Sequence, residues 1–459
     1  MRSIALGTPF HAANSHIQFM SSAILATMLP MTQMDNWPHV VIIGGGFAGI
    51  NAAKALARTP VRVTMIDRKN HHTFQPLLYQ VALAVLSPAE IASPIRFVLR
   101  RSRNVQVLLG EVTAFDLANR RVKAGEIELQ YDYLLIAAGV THAYFGHPEW
   151  QRIAPGLKTL EDATEIRRRV LLAFETAERE AILHGSRADL SFVVIGGGPT
   201  GVELAGAISD ISKRYMKRDF RGIDPRRAKI ILLEGGPRVL PAFPEDLSAS
   251  AQRQLEQIGV EVRTGALVTD VGPGMVTVGA ERIPASVILW SAGVAASPLG
   301  KLLGSPTDRA GRVLVEPDLS LPGHPEVLVA GDLAAAKMPD GNLVPGLAPA
   351  AIQMGRFAAR QIRLSVEGKP RGQFHYLDKG TLATIGRSKA VADLGFLHFG
   401  GYLAWMAWLF IHILFLIGFR NRFMVMAEWA WDYITYNHSA RLITGEREDA
   451  SGRDTDSGK

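Results

Sequence analysis

At 459 residues the chain is about three times the length of an ordinary domain, so more than one folding unit is expected. Fifty Lys and Arg against 43 Asp and Glu give a net charge of +7, but no long block gathers that charge and no aromatic pattern suits base stacking, which argues against nucleic acid and leaves a lipid surface as a better anionic partner. No cysteine is present, which excludes disulfides, thiolate metal sites, iron–sulfur ligands and a thiol nucleophile, and leaves any redox chemistry to an organic cofactor.

Residues 1–38 lack a basic start followed by a long apolar run, so a signal peptide is not expected. Met20, Met28, Met31 and Met34 fit an extension that is disordered or lies upstream of the true start, and it is set apart from the fold. The β-branched run His39–Ile43 stops at Gly44-Gly45-Gly46-Phe47-Ala48-Gly49 and passes into alanine-containing helical sequence. In such a Gly-x-Gly-x-x-Gly turn the first glycine makes the bend and the second lets a pyrophosphate approach. The third packs helix on strand, with free amides at the helix start to receive negative charge. Arg62–Ile66 reads as the next strand, and Asp67, beside Arg68, follows Gly44 by 23 positions, where a carboxylate holds a ribose. A plain glycine turn with a surface Asp is the simpler alternative; the strand before and the helix after favour the nucleotide cradle.

The pattern then repeats. Ser191–Ile195 leads into Gly196-Gly197-Gly198-Pro199-Thr200-Gly201, offset by 152 residues from the first glycine turn. A second pair, Leu134–Gly139 and Ile288–Gly293, is offset by 154, bringing Gly139 and Gly293 into equivalent places. Ile230–Leu233 reads as the strand ending at the acid Glu234, 38 positions after Gly196, a spacing that requires an insertion and that the basic stretch Lys213–Lys229 supplies. A carboxylate there favours NADH over NADPH. The fold class expected is α/β: two Rossmann-like dinucleotide-binding domains of the glutathione-reductase type, with FAD in the first and NADH in the second, the common order of that architecture.

Between and after the cradles, Leu160–Leu183 has helical periodicity, Glu326–Ala330 is a buried-type strand ending at Gly331-Asp332, and Pro345–Gln361 reads as a loop entering a helix. Asp332 would face the ribityl or pyrophosphate part of FAD. The expected domains are 39–159 with 295–375 for FAD, 160–294 for NADH, 376–444 as a C-terminal region, and 445–459 as a disordered tail. No formal charge occurs from Leu394 to Phe419. As one helix, the 18 residues from Tyr402 would rise roughly 27 Å, slightly less than the ~30 Å hydrocarbon core. Trp405, Trp408, Trp429 and Trp431, with Arg420 and Arg422 between the pairs, suit an interfacial anchor. A spanning helix and a buried dimer interface are the alternatives. His412 reads as a packing residue, and no histidine has metal-ligand spacing.

These residues resemble the type II NADH:quinone oxidoreductases. The resemblance rests on Asn70-His71-His72, Phe74–Ala82 (FQPLLYQVA), Gly196–Gly206 (GGGPTGVELAG), Leu233–Phe243, Ala383–Arg387 and the C-terminal run through Arg422, and it covers about Val40–Ile443. It implies that electrons pass from NADH through FAD to a membrane quinone without proton pumping, on the cytoplasmic face of the inner (cytoplasmic) membrane. It also favours a peripheral anchor over a spanning helix and leaves a homodimer open. By resemblance, Gln75 lies in the loop approaching the flavin, and Ala350–Gln353 opens a helix whose amides, with Ala351 and Gln353 foremost, face the flavin's pyrimidine edge. Pro349 and Met354 depart from the family's AQxAxQQG pattern, which puts the quinone contacts in question. Glu203 and Lys379 resemble an acid–ammonium pair where nicotinamide, flavin and quinone meet, able to relay protons to quinol. The plainer readings are a first-turn helix acid for Glu203, a surface charge for Lys379 and a packing amide for Gln353. Disulfide and sulfide:quinone reductases need cysteines and are excluded. A soluble NAD(P)H-dependent ferredoxin-type reductase and a redox-sensing flavoprotein switch survive the cysteine test, though the first leaves the apolar C-terminal run unexplained.

Overall fold

The computed structural model describes residues 36–186, 190–217, 219–417, 419–435 and 440–444. The expectations for the N-terminal extension, apart from its last three residues, and for the tail lie outside the described residues.

In chain order, β1 (His39–Ile43), α1 (Phe47–Leu56), β2 (Arg62–Asp67), β3 (Val105–Leu109) and β4 (Tyr133–Ile136) form a first run. After α2 (Leu160–His184) come β5 (Ser191–Ile195), α3 (Pro199–Asp210), β6 (Lys229–Leu233), α4 (Glu245–Gln257), β7 (Val260–Arg263) and β8 (Val287–Trp290). The chain returns through β9 (Ser320–Leu321), β10 (His324–Val329) and α5 (Ala348–Val366). It ends in β11 (Thr381–Gly386), β12 (Lys389–Asp393), β13 (His398–Gly400), α6 (Tyr402–Phe415) and α7 (Phe419–Thr435).

Both β1 and β5 are buried along their whole length, as parallel strands covered on two faces must be. They sit centrally in sheets of matching order. The first runs β9-β10-β4-β1-β2-β3, and the second runs β7-β6-β5-β8. Ile43 registers with Ile66 and Ile136, and Ile195 with Leu233 and Trp290. The repeat seen in the glycine turns therefore extends to the strand order 3-2-1-4. It extends further, to the crossover before the fourth strand. In each unit that crossover is a three-stranded antiparallel meander, Ala114–Asp116, Arg121–Ala124 and Ile127–Gln130 in one and Val268–Gly272, Met275–Val278 and Glu281–Pro284 in the other.

α2 starts at a capping box in which the Thr159 hydroxyl accepts from Asp162 N while Asp162 Oδ2 accepts from Thr159 N, and it stops at Gly185 with φ of 64°. The basic stretch before β6 begins as a π-helical extension of α3 at Ile211–Tyr215, which takes up part of the added length.

The C-terminal region corrects two expectations. The apolar run from Tyr402 is not one helix of 18 residues: α6 has 14, ends at an extended and buried Leu416 whose carbonyl accepts from Arg422 Nε, and gives way to α7. Among the described residues no helix is long and apolar enough to cross a membrane. Nor are the four tryptophans one interfacial belt. Trp408 is fully buried, in the cluster that holds Phe74, Leu77 and Val202, and Trp429 packs against that cluster, while Trp431 is exposed. His412 stacks on Trp408 at 4.1 Å, and burial pulls its pKa down to about 4, so it packs as a neutral ring.

Candidate functional site

The two glycine turns have the same geometry for the same steric reasons. A Cβ on Gly49 would lie 1.8 Å from Gly44 O, and one on Gly201 would lie 1.8 Å from Gly196 O, so each third glycine lets helix meet strand. Gly44 and Gly196 have φ of 98° and 104°, and each abuts the backbone of the fourth strand's end, at Ala137 and Ala292. The second glycines differ in kind: nothing lies within 4 Å of a Cβ built on Gly46 or Gly198. Open space over the uncapped starts of α1 and α3 is what a pyrophosphate requires, so both turns fit a dinucleotide.

The two acids close the cradles alike. Asp67 Oδ2 accepts from Gly45 N at 2.5 Å and Oδ1 from Lys69 N at 2.7 Å. Glu234 Oε2 accepts from Gly197 N and Oε1 from Gly236 N, each at 2.6 Å. The long spacing to Glu234 has not displaced it. Arg68 is exposed and faces Glu111 at 3.9 Å. Phe47, Ala48, Pro199 and Thr200 occupy the first turns of α1 and α3, and Phe47 meets His72 edge-on at 4.9 Å and Phe74 at 5.9 Å. Burial lowers the His72 pKa to about 4; its Nδ1 contacts Gly45 O at 3.0 Å, which ties the FQPLLYQVA region to the first glycine turn.

Gly139 and Gly331 take left-handed φ of 66° and 75° at the ends of β4 and β10. Gly293 follows β8, where a Cβ would lie 2.8 Å from the ring edge of exposed Phe145. Burial pushes the Asp332 carboxyl up, opposed by Lys158 and then Arg312, while burial holds Lys158 down, opposed by Asp332. This facing acid–ammonium pair draws one partner from before α2 and the other from after β10. Lys158 was missed because nothing in its local sequence marks it.

At α5 the expectation needs correction. The helix begins at Ala348, two residues ahead of Ala350, and Ala351 N donates to Leu347 O at 3.0 Å. The helical ladder consumes that amide and those after it; Pro349, in the first turn, has no N–H, so the free donors are Ala348 and Ala350. Gln353 does not cap the helix: its amide donates to Leu377 O at 2.9 Å and accepts from Leu377 N at 3.0 Å, which fixes the irregular segment before Lys379. Met354 is buried with its sulfur accepting from Gly331 N at 3.1 Å. Gln75 is exposed at the start of a 3₁₀ turn, Gln75–Leu77, and Lys379 is also exposed.

Glu203, on α3, opens into a cavity of about 90 Å³ lined by Tyr79, Gln80, Thr384, Trp408 and Trp429 among others. Its side chain keeps some exposure to that cavity, yet the surroundings are dense enough that burial raises its pKa to about 8, against a hydrogen bond from the Thr384 backbone. Burial raises Tyr79 well above the usual phenol range, with Glu203 adding to the shift. Gln80 Nε2 donates to Tyr79 Oη at 2.9 Å, and Trp429 Nε1 donates to Gln80 Oε1 at 2.7 Å. The FQPLLYQVA segment thus contributes Tyr79 and Gln80 as well as Gln75, and the first two became visible only through a partner 349 residues away.

Two equivalent cradles in one chain, meeting across a dense region that holds an uncharged acid, define a two-dinucleotide oxidoreductase. Residues 38–355 match the family of pyridine nucleotide-disulphide oxidoreductases, and residues 379–435 match the NDH2 C-terminal domain. Type II NADH:quinone oxidoreductase NdhA of Mycobacterium tuberculosis is 45% identical over 89% of this chain and 90% of its own, and Ndh of the same organism is 43% identical over 92% and 94%. The solved structure of NDH2 from Plasmodium falciparum in complex with NADH shares the fold, with a TM-score of 0.78 at 20% identity, covering 89% of this chain and all of that one. The chain belongs to the type II NADH:quinone oxidoreductases.

Proposed function

We propose that the chain passes electrons from NADH to a membrane quinone, with the first cradle holding FAD and the second holding NADH. When bound, FAD supplies the redox chemistry, taking hydride from NADH and giving two electrons to the quinone. The chain's own residues bind and orient. Asp67 and Glu234 are placed for the two adenosine riboses, Gly46 and Gly198 make room for the pyrophosphates, and the free amides of Ala348 and Ala350 point a positive helix end toward developing negative charge. Glu203 holds a proton at neutral pH and serves as a donor to a quinone oxygen, with Lys379 as a nearby ammonium that Gln353 positions through Leu377. The domain split follows from this: 39–159 with 295–375 around FAD, 160–294 around NADH, and 376–444 toward the membrane.

Membrane contact falls to the exposed apolar side of α6 and α7. Leu403 and Phe410 are about 70% exposed and Leu414, Phe423 and Ile434 are also open, while Trp408 and Val425 point inward. Such helices lie in the interface and do not span, which makes the enzyme a peripheral membrane protein, and its use of NADH assigns it to the cytoplasmic face. The single observation that carries the functional reading is the matched pair of cradles, each with its acid bonded to the amide beside the second glycine.

The test is spectroscopic. Purified protein should carry a flavin absorbance that NADH bleaches and a short-chain quinone restores; a protein that stays colourless after incubation with FAD refutes the reading. Deleting everything after Ala392 would strip Trp408 and Trp429 from the core, so the anchor is tested by L403S/F410S/L414S. That variant should remain coloured but leave the membrane fraction.

A further inference from the structure

An open bowl of about 530 Å³ lies where the end of α4, the turn between β11 and β12, and the start of α6 meet. Two cations, Arg253 and Lys389, line it together with the hydroxyl residues Ser250, Ser388 and Tyr402, and no carboxylate lines it. Lys389 Nζ donates to Gln257 Oε1 at 2.7 Å, which holds the ammonium at the rim. Gln254, only 8% exposed, stiffens the wall, donating to Ser250 Oγ at 3.1 Å and to Ala390 O at 3.3 Å.

The floor is backbone. A Cβ on Gly400 would lie 3.1 Å from Ser250 Oγ, and Gly401, at φ of 73°, caps α6 without any side-chain hydrogen bond. The first-turn amides of that 14-residue helix therefore reach the bowl's edge without intrahelical partners. Nearby acids are engaged elsewhere: Asp246 and Asp393 flank His398 at 3.5 and 3.4 Å, and Glu256 accepts from Gln252. Two cations, a helix start and hydroxyls around one open space suit a phosphate group.

Position decides which phosphate. The bowl ends at Tyr402, where the exposed apolar side of α6 begins with Tyr402 and Leu403, 54% and 71% exposed. A phosphate at the margin of an apolar face is a lipid headgroup. We propose that this bowl binds the phosphodiester of an anionic phospholipid, with Arg253 and Lys389 as its cations, so that the enzyme selects anionic bilayers and does not merely adhere to apolar ones. The inference rests on the reading of α6 and α7 as the membrane-facing surface.

The test uses the full-length flavoprotein sedimented with vesicles of phosphatidylcholine alone or doped with phosphatidylglycerol. Wild type should prefer the doped vesicles, and R253Q and K389Q should each cost about fivefold in partitioning to them, with little effect on neutral vesicles. R58Q/R309Q, which removes the same charge elsewhere, should change partitioning less than R253Q/K389Q; an equal loss would show diffuse attraction and overturn the site. Equal wild-type binding to both vesicle types would overturn the site while the apolar anchor stands. Failure to bind either would overturn the anchor and the site with it. Inorganic phosphate should displace the protein no more than chloride at matched ionic strength; stronger displacement would make the bowl a free-anion site and refute the lipid assignment.

Discussion

The two cradles share their geometry at the first, second and third glycines and differ at the residue two beyond the third glycine. In α1 that residue is Asn51, whose amide donates to Phe47 O on its own helix and accepts from Arg356 of α5. In α3 the equivalent residue is Glu203, a half-buried acid facing a cavity. The helices are also covered differently. α1 is packed by α5, with Gly355 so close to Ala48 that a Cβ would lie 2.1 Å from its carbonyl oxygen. α3 is packed by β11, with Gly206 held against Ile385 O. One copy is thus sealed by structure that carries no reactive group, and the other exposes its helix to the C-terminal region and places an acid there. The two copies share their glycine geometry, and only the second sets an acid against a cavity.

If the two second glycines mark pyrophosphate sites, filling each space should separate the copies completely. G46V should give folded protein with no 450 nm absorbance and no activity. G198V should keep its flavin, while its KM for NADH rises about a hundredfold, a loss of roughly 3 kcal/mol of binding. Both positions have φ near −70° and open surroundings, so valine burdens the ligand more than the fold. Flavin loss in G198V, with retention in G46V, would reverse the assignment of the cradles.

The Asn51–Glu203 contrast predicts the next largest effect. With a pKa of about 8, Glu203 is protonated at neutral pH and loses its proton as pH rises through 8. Quinone reduction in stopped flow should therefore fall above that pH. E203Q should slow it about a hundredfold and abolish that limb, leaving reduction of the flavin by NADH near wild type. Stability moves in the same window. The unfolded chain ionises Glu203 from about 4.5 while the folded chain keeps it neutral to about 8, so this group makes stability fall as pH rises between those values. Denaturant midpoints of E203Q should lack that slope.

What could be read in advance follows from the range of each interaction. The cradles were legible because each is written in a few adjacent residues, and their duplication doubled the signal. The meanders before β4 and β8 were not, since short antiparallel strands such as Arg121–Ala124 have little pattern of their own. Asp332 was visible at a strand end, but Lys158 opposite it was not. The apolar run from Tyr402 was legible as hydrophobic but not as two helices, because buried Leu416, packed in the core and held by Arg422, interrupts it. Trp408 shows the same limit: an apolar, aromatic stretch reads alike whether it faces lipid or core.

Glu234 offers a smaller and sharper test of the equivalence between the acids. It reaches the Gly197 amide across a segment fifteen residues longer than the one before Asp67, with one more methylene in its side chain. E234A should raise the KM for NADH about tenfold and, by removing negative charge from the ribose edge, narrow the preference for NADH over NADPH by about the same factor. An unchanged ratio of kcat/KM values would mean that the matching hydrogen bonds serve the turn and not the ribose.

The smallest expected effect concerns the cover of α3. The Trp429–Gln80–Tyr79 chain is one of the polar ties between α7 and the wall of the Glu203 cavity, whereas over α1 the polar contact to the covering helix is the exposed Asn51–Arg356 hydrogen bond. W429F keeps the aromatic bulk and leaves the buried Gln80 Oε1 without its donor, a cost of about 1 kcal/mol. Thermal unfolding should shift down by only a few degrees. If the tie also aligns the cavity, the KM for a short-chain quinone should rise severalfold while the KM for NADH stays put. A change in both would mean that Trp429 supports the whole second cradle, and the division between shared binding geometry and added chemistry would then be less clean than the two helices suggest.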